Sequence, residues 1–125
     1  MEDSWGAANP IPGVKSSYER RIDALMFHSL QLTAIEIKIS RSDGGRETWA
    51  KVMPWRRITH RFVYAVPAGL FDKPPLKGCG LWWVHEDGRV EVKVKSAINK
   101  YPEALPLHVI QRLGYRASNS AAQAA

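Results

Sequence analysis

The chain has 125 residues, a length that supports one domain around one hydrophobic core. Hydrophobic residues make up 45% and charged residues 24%, which excludes general disorder and a coiled coil, and no apolar run approaches the roughly 20 residues of a membrane helix. The formal net charge of +6 favours a polyanionic partner, because neutralising phosphates releases their condensed counterions.

The two ends of the chain differ in composition from its middle. Residues 1–17 (MEDSWGAANPIPGVKSS) contain two prolines and two glycines without apolar periodicity, which predicts an extended arm. The composition of residues 117–125 predicts a flexible tail. We therefore expect the folded domain to span residues 18–116.

The clearest strand is predicted for Leu32–Ser40, because apolar and polar residues alternate along it. The alternation assigns the isoleucines to the core and the charged side chains to the other face. The core-facing residues are Ile35, Ile37 and Ile39, and the other face carries Ala34, Glu36, Lys38 and Ser40.

A partner strand is predicted for Arg21–His28. The midpoint between Asp23 and Glu36 falls between Ser29 and Leu30, so a hairpin closing there sets the two carboxylates opposite each other, with Cβ atoms about 5 Å apart. The connection lacks Gly or Asn, so a longer loop with a different register is also open.

The next two elements are a helix and a strand. Asp43 is predicted to cap a helix over Arg46–Met53, and Pro54 is predicted to end or kink it. The strand Arg61–Val66 follows and runs into a turn at residues 67–69.

A second hairpin and a short helix complete the order. The strands Leu81–His85 and Val90–Lys95 flank an Asp-Gly turn, and alternation turns Val90, Val92 and Val94 inward. An amphipathic helix is predicted over Pro106–Leu113, with a stop at Gly114. The set predicts a single α/β domain with a mixed sheet flanked by helices.

Two carboxylates and a lysine converge if the first hairpin forms. Hydrolysis of a phosphodiester needs a metal to neutralise phosphate charge and a placed, activated water. Asp23, Glu36 and the backbone carbonyl of Ile37 offer hard oxygen ligands for Mg²⁺ or Mn²⁺. Lys38, on the same strand face as Glu36, can orient the water. Against this stands an ordinary solvated strand face for Glu36 and Lys38 and a salt-bridge role for Asp23.

The spacing of Asp23 from Glu36-Ile37-Lys38 resembles the signature of the PD-(D/E)XK nuclease superfamily. Later segments extend the resemblance towards small nucleases of the phage and DNA-repair type, similar to the MmcB-like group. It covers roughly residues 20–116, through AIEIKISRSD, a helix with Lys51, HRFVYAVPAGLF, GCGLWWV and VKVKSA. The resemblance implies a restriction-endonuclease-like core and a metal-dependent deoxyribonuclease.

The resemblance also implies roles for particular residues. It makes Asp23 and Glu36 metal ligands and Lys38 catalytic, and it brings Ser40, Arg41 and Asp43 near the site, with Ser40 and Arg41 contacting DNA. Many members carry a further acidic residue on a helix before the first strand. Here Glu19 is the obvious substitute, and otherwise a second chain in a homodimer completes the site.

Basic residues cluster within and just after the predicted helix. They form either a phosphate-contacting patch or the polar side of a helix end, and they are Lys51, Arg56, Arg57 and Arg61. The expected function is therefore a cytoplasmic DNA nuclease acting in phage DNA metabolism or repair. The alternative is a catalytically inactive nucleic-acid-binding or protein-interaction module with the same fold.

Overall fold

The computed structural model describes the backbone of residues 22–124 and the side chains of residues 22–115. The predicted arm, residues 1–17, and Glu19 lie outside the described residues. Within them the strands are β1 (Ala24–His28), β2 (Gln31–Ile37), β3 (Arg61–Pro67), β4 (Gly80–Val84) and β5 (Val90–Val94). The helices are α1 (Arg41–Gly45), α2 (Trp49–Ile58) and α3 (Leu107–Ala124).

The strands form one mixed sheet in the order β1-β2-β3-β4-β5. The outer pairs, β1 with β2 and β4 with β5, are antiparallel, whereas β3 runs parallel to both β2 and β4. A parallel pair requires a crossover connection, and α1 and α2 supply it between β2 and β3. The expected α/β domain with a mixed sheet and helices is confirmed.

The first hairpin has the predicted register. Ala24 lies opposite Ile35 and His28 lies opposite Gln31, which leaves Ser29 and Leu30 as a two-residue turn. Both turn residues adopt positive φ angles, 50° and 62°, as a type I′ turn requires. The hairpin therefore closes tightly although neither residue is the Gly or Asn that this turn prefers.

The predicted faces of β2 are reversed in the structure. Ile37 is 53% and Ile39 72% exposed, whereas Ala34 and Glu36 are buried. The core lies on the Ala34 face because α2 covers that side, with Val52 and Trp55 in the same buried cluster. The prediction that Ile35, Ile37 and Ile39 form the core face is therefore wrong.

Two helices replace the single one predicted between β2 and β3. Ser40, not Asp43, caps α1 by accepting a hydrogen bond from the Asp43 N–H (3.2 Å), and Thr48 caps α2. The helix α2 continues through Pro54 to Ile58. A proline inside a helix costs about 3 kcal/mol, and burial of the apolar face of α2 offsets this cost. The predicted helix at Arg46–Met53 is thus corrected at both ends.

The inward orientation predicted for the valines of β5 holds at Val94 alone. Leu81 pairs with Val94 but its neighbour Trp82 pairs with Val92, so Lys93 is an extra residue in the strand. Such a bulge shifts the alternation of side chains by one position. Val94 therefore packs on the core, while Val90 and Val92 are half exposed.

The C-terminal helix is longer than predicted. It starts at Leu107 and passes through Gly114 to Ala124, so the stop predicted at Gly114 is wrong. A glycine inside a helix costs about 1 kcal/mol, and the alanines that follow it are the best helix formers. Most of the predicted tail, residues 117–125, is therefore helical.

We predict that Leu30→Gly stabilises the fold by about 0.5–1 kcal/mol. The side chain of Leu30 is 99% exposed, so its loss removes no packing, and glycine adopts the positive φ angle without the steric cost of a Cβ atom. Leu30→Ala retains the Cβ atom and should show no gain. Denaturant unfolding of the three proteins tests this, and equal midpoints for both variants would rule out backbone strain at the turn.

We also predict opposite effects at two neighbouring glycines of α1. A Cβ atom at Gly44 would lie 2.5 Å from Cζ of Phe71, whereas one at Gly45 meets nothing within 4 Å. Gly44→Ala should lower the free energy of unfolding by about 1–3 kcal/mol because the Phe71 ring must move. Gly45→Ala should leave it unchanged or raise it by up to about 1 kcal/mol. Thermal unfolding of both variants provides the measurement.

Candidate active site at the end of β2

The candidate site lies where β2 ends and α1 begins. Glu36 is the penultimate residue of β2, and Lys38 follows directly after the strand. The backbone N–H of Lys38 donates a hydrogen bond to the Ala65 carbonyl (3.1 Å), which carries the pairing with β3 one step further. The main chain of this segment is therefore fixed by the sheet, and the carboxyl ends of parallel strands are where open α/β sheets bind ligands.

Asp23 joins this segment through a backbone contact. The N–H of Ile37 donates a hydrogen bond to Oδ2 of Asp23 (2.8 Å). Asp23 immediately precedes Ala24, which lies opposite Ile35, so Asp23 faces Glu36 when the register is continued by one residue. The exposed carboxylate of Asp23 is thus beside the backbone of the Glu36-Ile37-Lys38 segment.

Lys38 lies between two carboxylates. Its Nζ atom is 3.1 Å from Oε2 of Glu47 and 3.8 Å from Oε2 of Glu36. The three side chains are 14% (Lys38), 2% (Glu47) and 9% (Glu36) exposed, so these ion pairs are largely screened from solvent. The hydroxyl of Tyr64 donates a hydrogen bond to the other oxygen of Glu47 (2.8 Å), and Tyr64 is the register partner of Glu36 on β3.

Glu47 is a residue of this cluster that sequence reasoning missed. It lies in the connection between α1 and α2, directly before the capping residue Thr48. No motif spacing or periodicity links it to Lys38. The single local signal for Glu47 is its position close to the start of the crossover helix. Because that helix must start near the end of β2, an acidic residue there lies near the end of β2 as well.

The donor set suits a hard divalent cation, although it is small. Asp23 and Glu36 offer carboxylate oxygens. The backbone N–H of Ile37, the residue after Glu36, donates to the Asp23 carboxylate. Mg²⁺ is commonly held by one or two carboxylates together with water, so these donors fit it. Among the described side chains, no group of three or more His, Cys, Asp or Glu residues forms a metal-binding cluster.

Three of the residues expected to contact DNA lie at this same end of the sheet. Ser40 caps α1, Arg41 starts it, and Lys51 is in the first turn of α2. The guanidinium of Arg41 lies 5.8 Å from the centre of the Phe71 ring, and Nζ of Lys51 donates to the Arg46 carbonyl (2.9 Å). Arg41 and Lys51 are both exposed to solvent.

The other predicted DNA contacts lie at the opposite end. Arg61 starts β3 opposite Thr33, four residues before the Ile37–Ala65 pair and therefore about 13 Å away along the sheet. Arg61 donates to the Ser96 carbonyl (3.0 Å), and Arg56 donates to the Ala97 carbonyl (2.8 Å). The structure thus splits the predicted basic patch.

At that end the arginines have a structural role. Arg56 also donates to the His60 carbonyl (3.1 Å), and its burial lowers the pKa of the guanidinium. Together, Arg56 and Arg61 hold the segment after β5 against the start of β3. Arg57 is exposed, and its carbonyl accepts a hydrogen bond from the N–H of Glu103 (2.8 Å).

Cys79 contributes no nucleophile. It is fully buried, and this burial raises the pKa of the thiol to about 11. Burial therefore disfavours the reactive thiolate form of this side chain.

A surface depression of about 530 Å³ lies apart from these residues, at the ends of β3 and β4. None of Asp23, Glu36 and Lys38 lines it. Its walls come from the β3 end and the β4–β5 turn: Pro67, Ala68, Val84, His85, Glu86, Asp87 and Arg89.

Comparison with known proteins finds a similar fold in a solved structure but no protein of known function. No protein-family model and no curated protein matches the chain. A solved structure of a protein of unknown function from Silicibacter pomeroyi is similar, with a TM-score of 0.61 and 19% identity, covering 82% of this chain and 69% of that one. No helix of the described residues is long and apolar enough to cross a membrane.

We predict that Lys38→Met lowers the free energy of unfolding by about 3 kcal/mol. The substitution leaves the buried carboxylates of Glu47 and Glu36 without the Lys38 cation, and breaking one side of a buried ion pair is strongly destabilising. Lys95→Met, at an exposed position of the same charge, is the matched control and should change stability by less than about 0.5 kcal/mol. Equal unfolding midpoints for the two variants would exclude the buried ion pair.

Proposed function

We propose that this chain is a metal-dependent deoxyribonuclease with a restriction-endonuclease-like core, acting in phage DNA metabolism or DNA repair. The observation that carries the proposal is the hydrogen bond from the Ile37 N–H to Asp23 (2.8 Å). It brings an exposed carboxylate beside the backbone between Glu36 and Lys38 at the end of a strand. The hard oxygen donors of Asp23 and Glu36 suit Mg²⁺ or Mn²⁺. The order of hairpin, crossover helix and parallel strand also agrees with such a core.

Each residue has a distinct role in this proposal. Asp23 and Glu36, with the carbonyl of Ile37, hold the cation, which when bound neutralises charge on the phosphate and acidifies a water. Lys38 donates hydrogen bonds from its ammonium group to the attacking water or to a phosphate oxygen. Arg41 and Lys51, both exposed at this end of the sheet, attract the DNA backbone.

A second candidate function is a nucleic-acid-binding module without catalysis. It is favoured by the ion pairs of Lys38 with Glu47 and Glu36, because a lysine held between two carboxylates also serves as a structural element. In that case the carboxylates neutralise Lys38 and bind no cation. DNA affinity would then depend steeply on salt concentration and not on Mg²⁺.

The test is cleavage of end-labelled single-stranded, duplex and branched DNA by the wild type and by Asp23→Asn, each with Mg²⁺, Mn²⁺ or EDTA. Asp23 is exposed and asparagine keeps an oxygen that accepts from Ile37, so the variant should fold. We expect metal-dependent cutting by the wild type and a loss of roughly a hundred-fold in the variant.

Asp72→Asn is the matched control, because Asp72 is an exposed aspartate of the β3–β4 connection, and this variant should cut like the wild type. Undiminished cutting by Asp23→Asn would refute the assigned site. A wild type that binds DNA but cuts none of the substrates in either metal would favour the binding module.

A further inference from the structure

The carboxylate of Glu47 is held in place independently of Lys38. The hydroxyl of Tyr64, from the centre of the sheet, donates to Oε1 (2.8 Å) and so leaves Oε2 directed at Lys38. The backbone N–H of Glu47 donates to the Gly44 carbonyl (3.2 Å), and Thr48, which caps α2, follows directly after it. Glu47 is therefore a fixed negative charge to which the flexible lysine side chain adjusts.

The ammonium of Lys38 is shared unequally between its two carboxylates. The distance to Glu47 is 3.1 Å, that of a hydrogen-bonded ion pair, whereas the distance to Glu36 is 3.8 Å. A lysine ammonium has three rotatable donors on a flexible stem, so it moves towards whichever carboxylate attracts it more. With the charge of Glu47 removed, Glu36 becomes the stronger attraction.

We propose that Glu47 is a positioning residue that draws the Lys38 ammonium away from Glu36, so that Glu36 can ligate a divalent cation. The inference rests on the proposed function, because it assumes that Glu36 binds a metal. An ammonium hydrogen-bonded to Glu36 would occupy the carboxylate and repel a second cation at close range. Glu47 thus keeps Lys38 from occupying Glu36, a role that none of Asp23, Glu36 and Lys38 can fill.

The experiment is calorimetric titration of Mn²⁺ into the wild type, Glu47→Gln and the double variant Lys38→Met/Glu47→Gln, after thermal unfolding has established that each is folded. Glutamine keeps the size of Glu47 and an oxygen for Tyr64 but has no charge. We expect Mn²⁺ affinity to fall roughly ten-fold in Glu47→Gln. The double variant, which has no ammonium at this position, should regain at least the wild-type affinity.

Two further proteins complete the test. Glu103→Gln removes an exposed glutamate far along the chain and should bind Mn²⁺ like the wild type. Tyr64→Phe keeps the ring and the charge of Glu47 but removes the hydroxyl that fixes it, so its Mn²⁺ affinity should fall between those of the wild type and Glu47→Gln. This variant carries the test if Glu47→Gln does not fold.

The outcomes separate this inference from the proposed function. A wild type that binds Mn²⁺ and a Glu47→Gln variant of equal affinity would overturn the role of Glu47 and leave the metal site standing. Failure of the double variant to regain affinity would also overturn it, because the loss would then not act through Lys38. A wild type that binds no Mn²⁺ would overturn both the metal site and the inference.

Discussion

The largely screened ammonium of Lys38 constrains the side chains around the end of β2. A charge removed from water costs several kcal/mol unless it is paired, and Glu47 supplies the partner at 3.1 Å. Glu47 in turn accepts a hydrogen bond from Tyr64, which lies opposite Glu36 on the neighbouring strand. Because a slip of one residue would turn Tyr64 to the other face, the charge network and the β2–β3 register depend on each other.

The same network explains which part of β2 could be predicted from the sequence. The strand and its hairpin register follow from local alternation and from counting residues around a midpoint, so the pairing that begins at Ala24 and Ile35 is predicted correctly. The buried face was not predictable in this way, because the rule that charges face solvent fails when a distant partner compensates them. That partner, Glu47, is brought beside Lys38 by the crossover connection. No spacing of residues in the sequence predicts this contact.

Several errors in predicting the fold have a common physical cause. Pro54 and Gly114 are unfavourable inside helices by about 3 and about 1 kcal/mol, and local rules therefore end a helix at each. Packing of α2 on the core and the alanine-rich continuation of α3 outweigh these costs. The bulge at Lys93 likewise results from pairing with β4, so that alternation within β5 could not reveal it.

The crossover also decides which basic residues can act together. Lys51 and Arg61 are close in sequence, but α2 has ten residues and spans about 15 Å, so it carries them to opposite ends of the sheet. Arg56 and Arg61 are engaged there with backbone carbonyls. A polyanion that reaches Asp23 and Lys38 therefore meets the positive charge of Arg41 and Lys51. In the proposed nuclease, electrostatic attraction of DNA to the site would thus depend on the start of each crossover helix and not on the arginine cluster that is most prominent in the sequence.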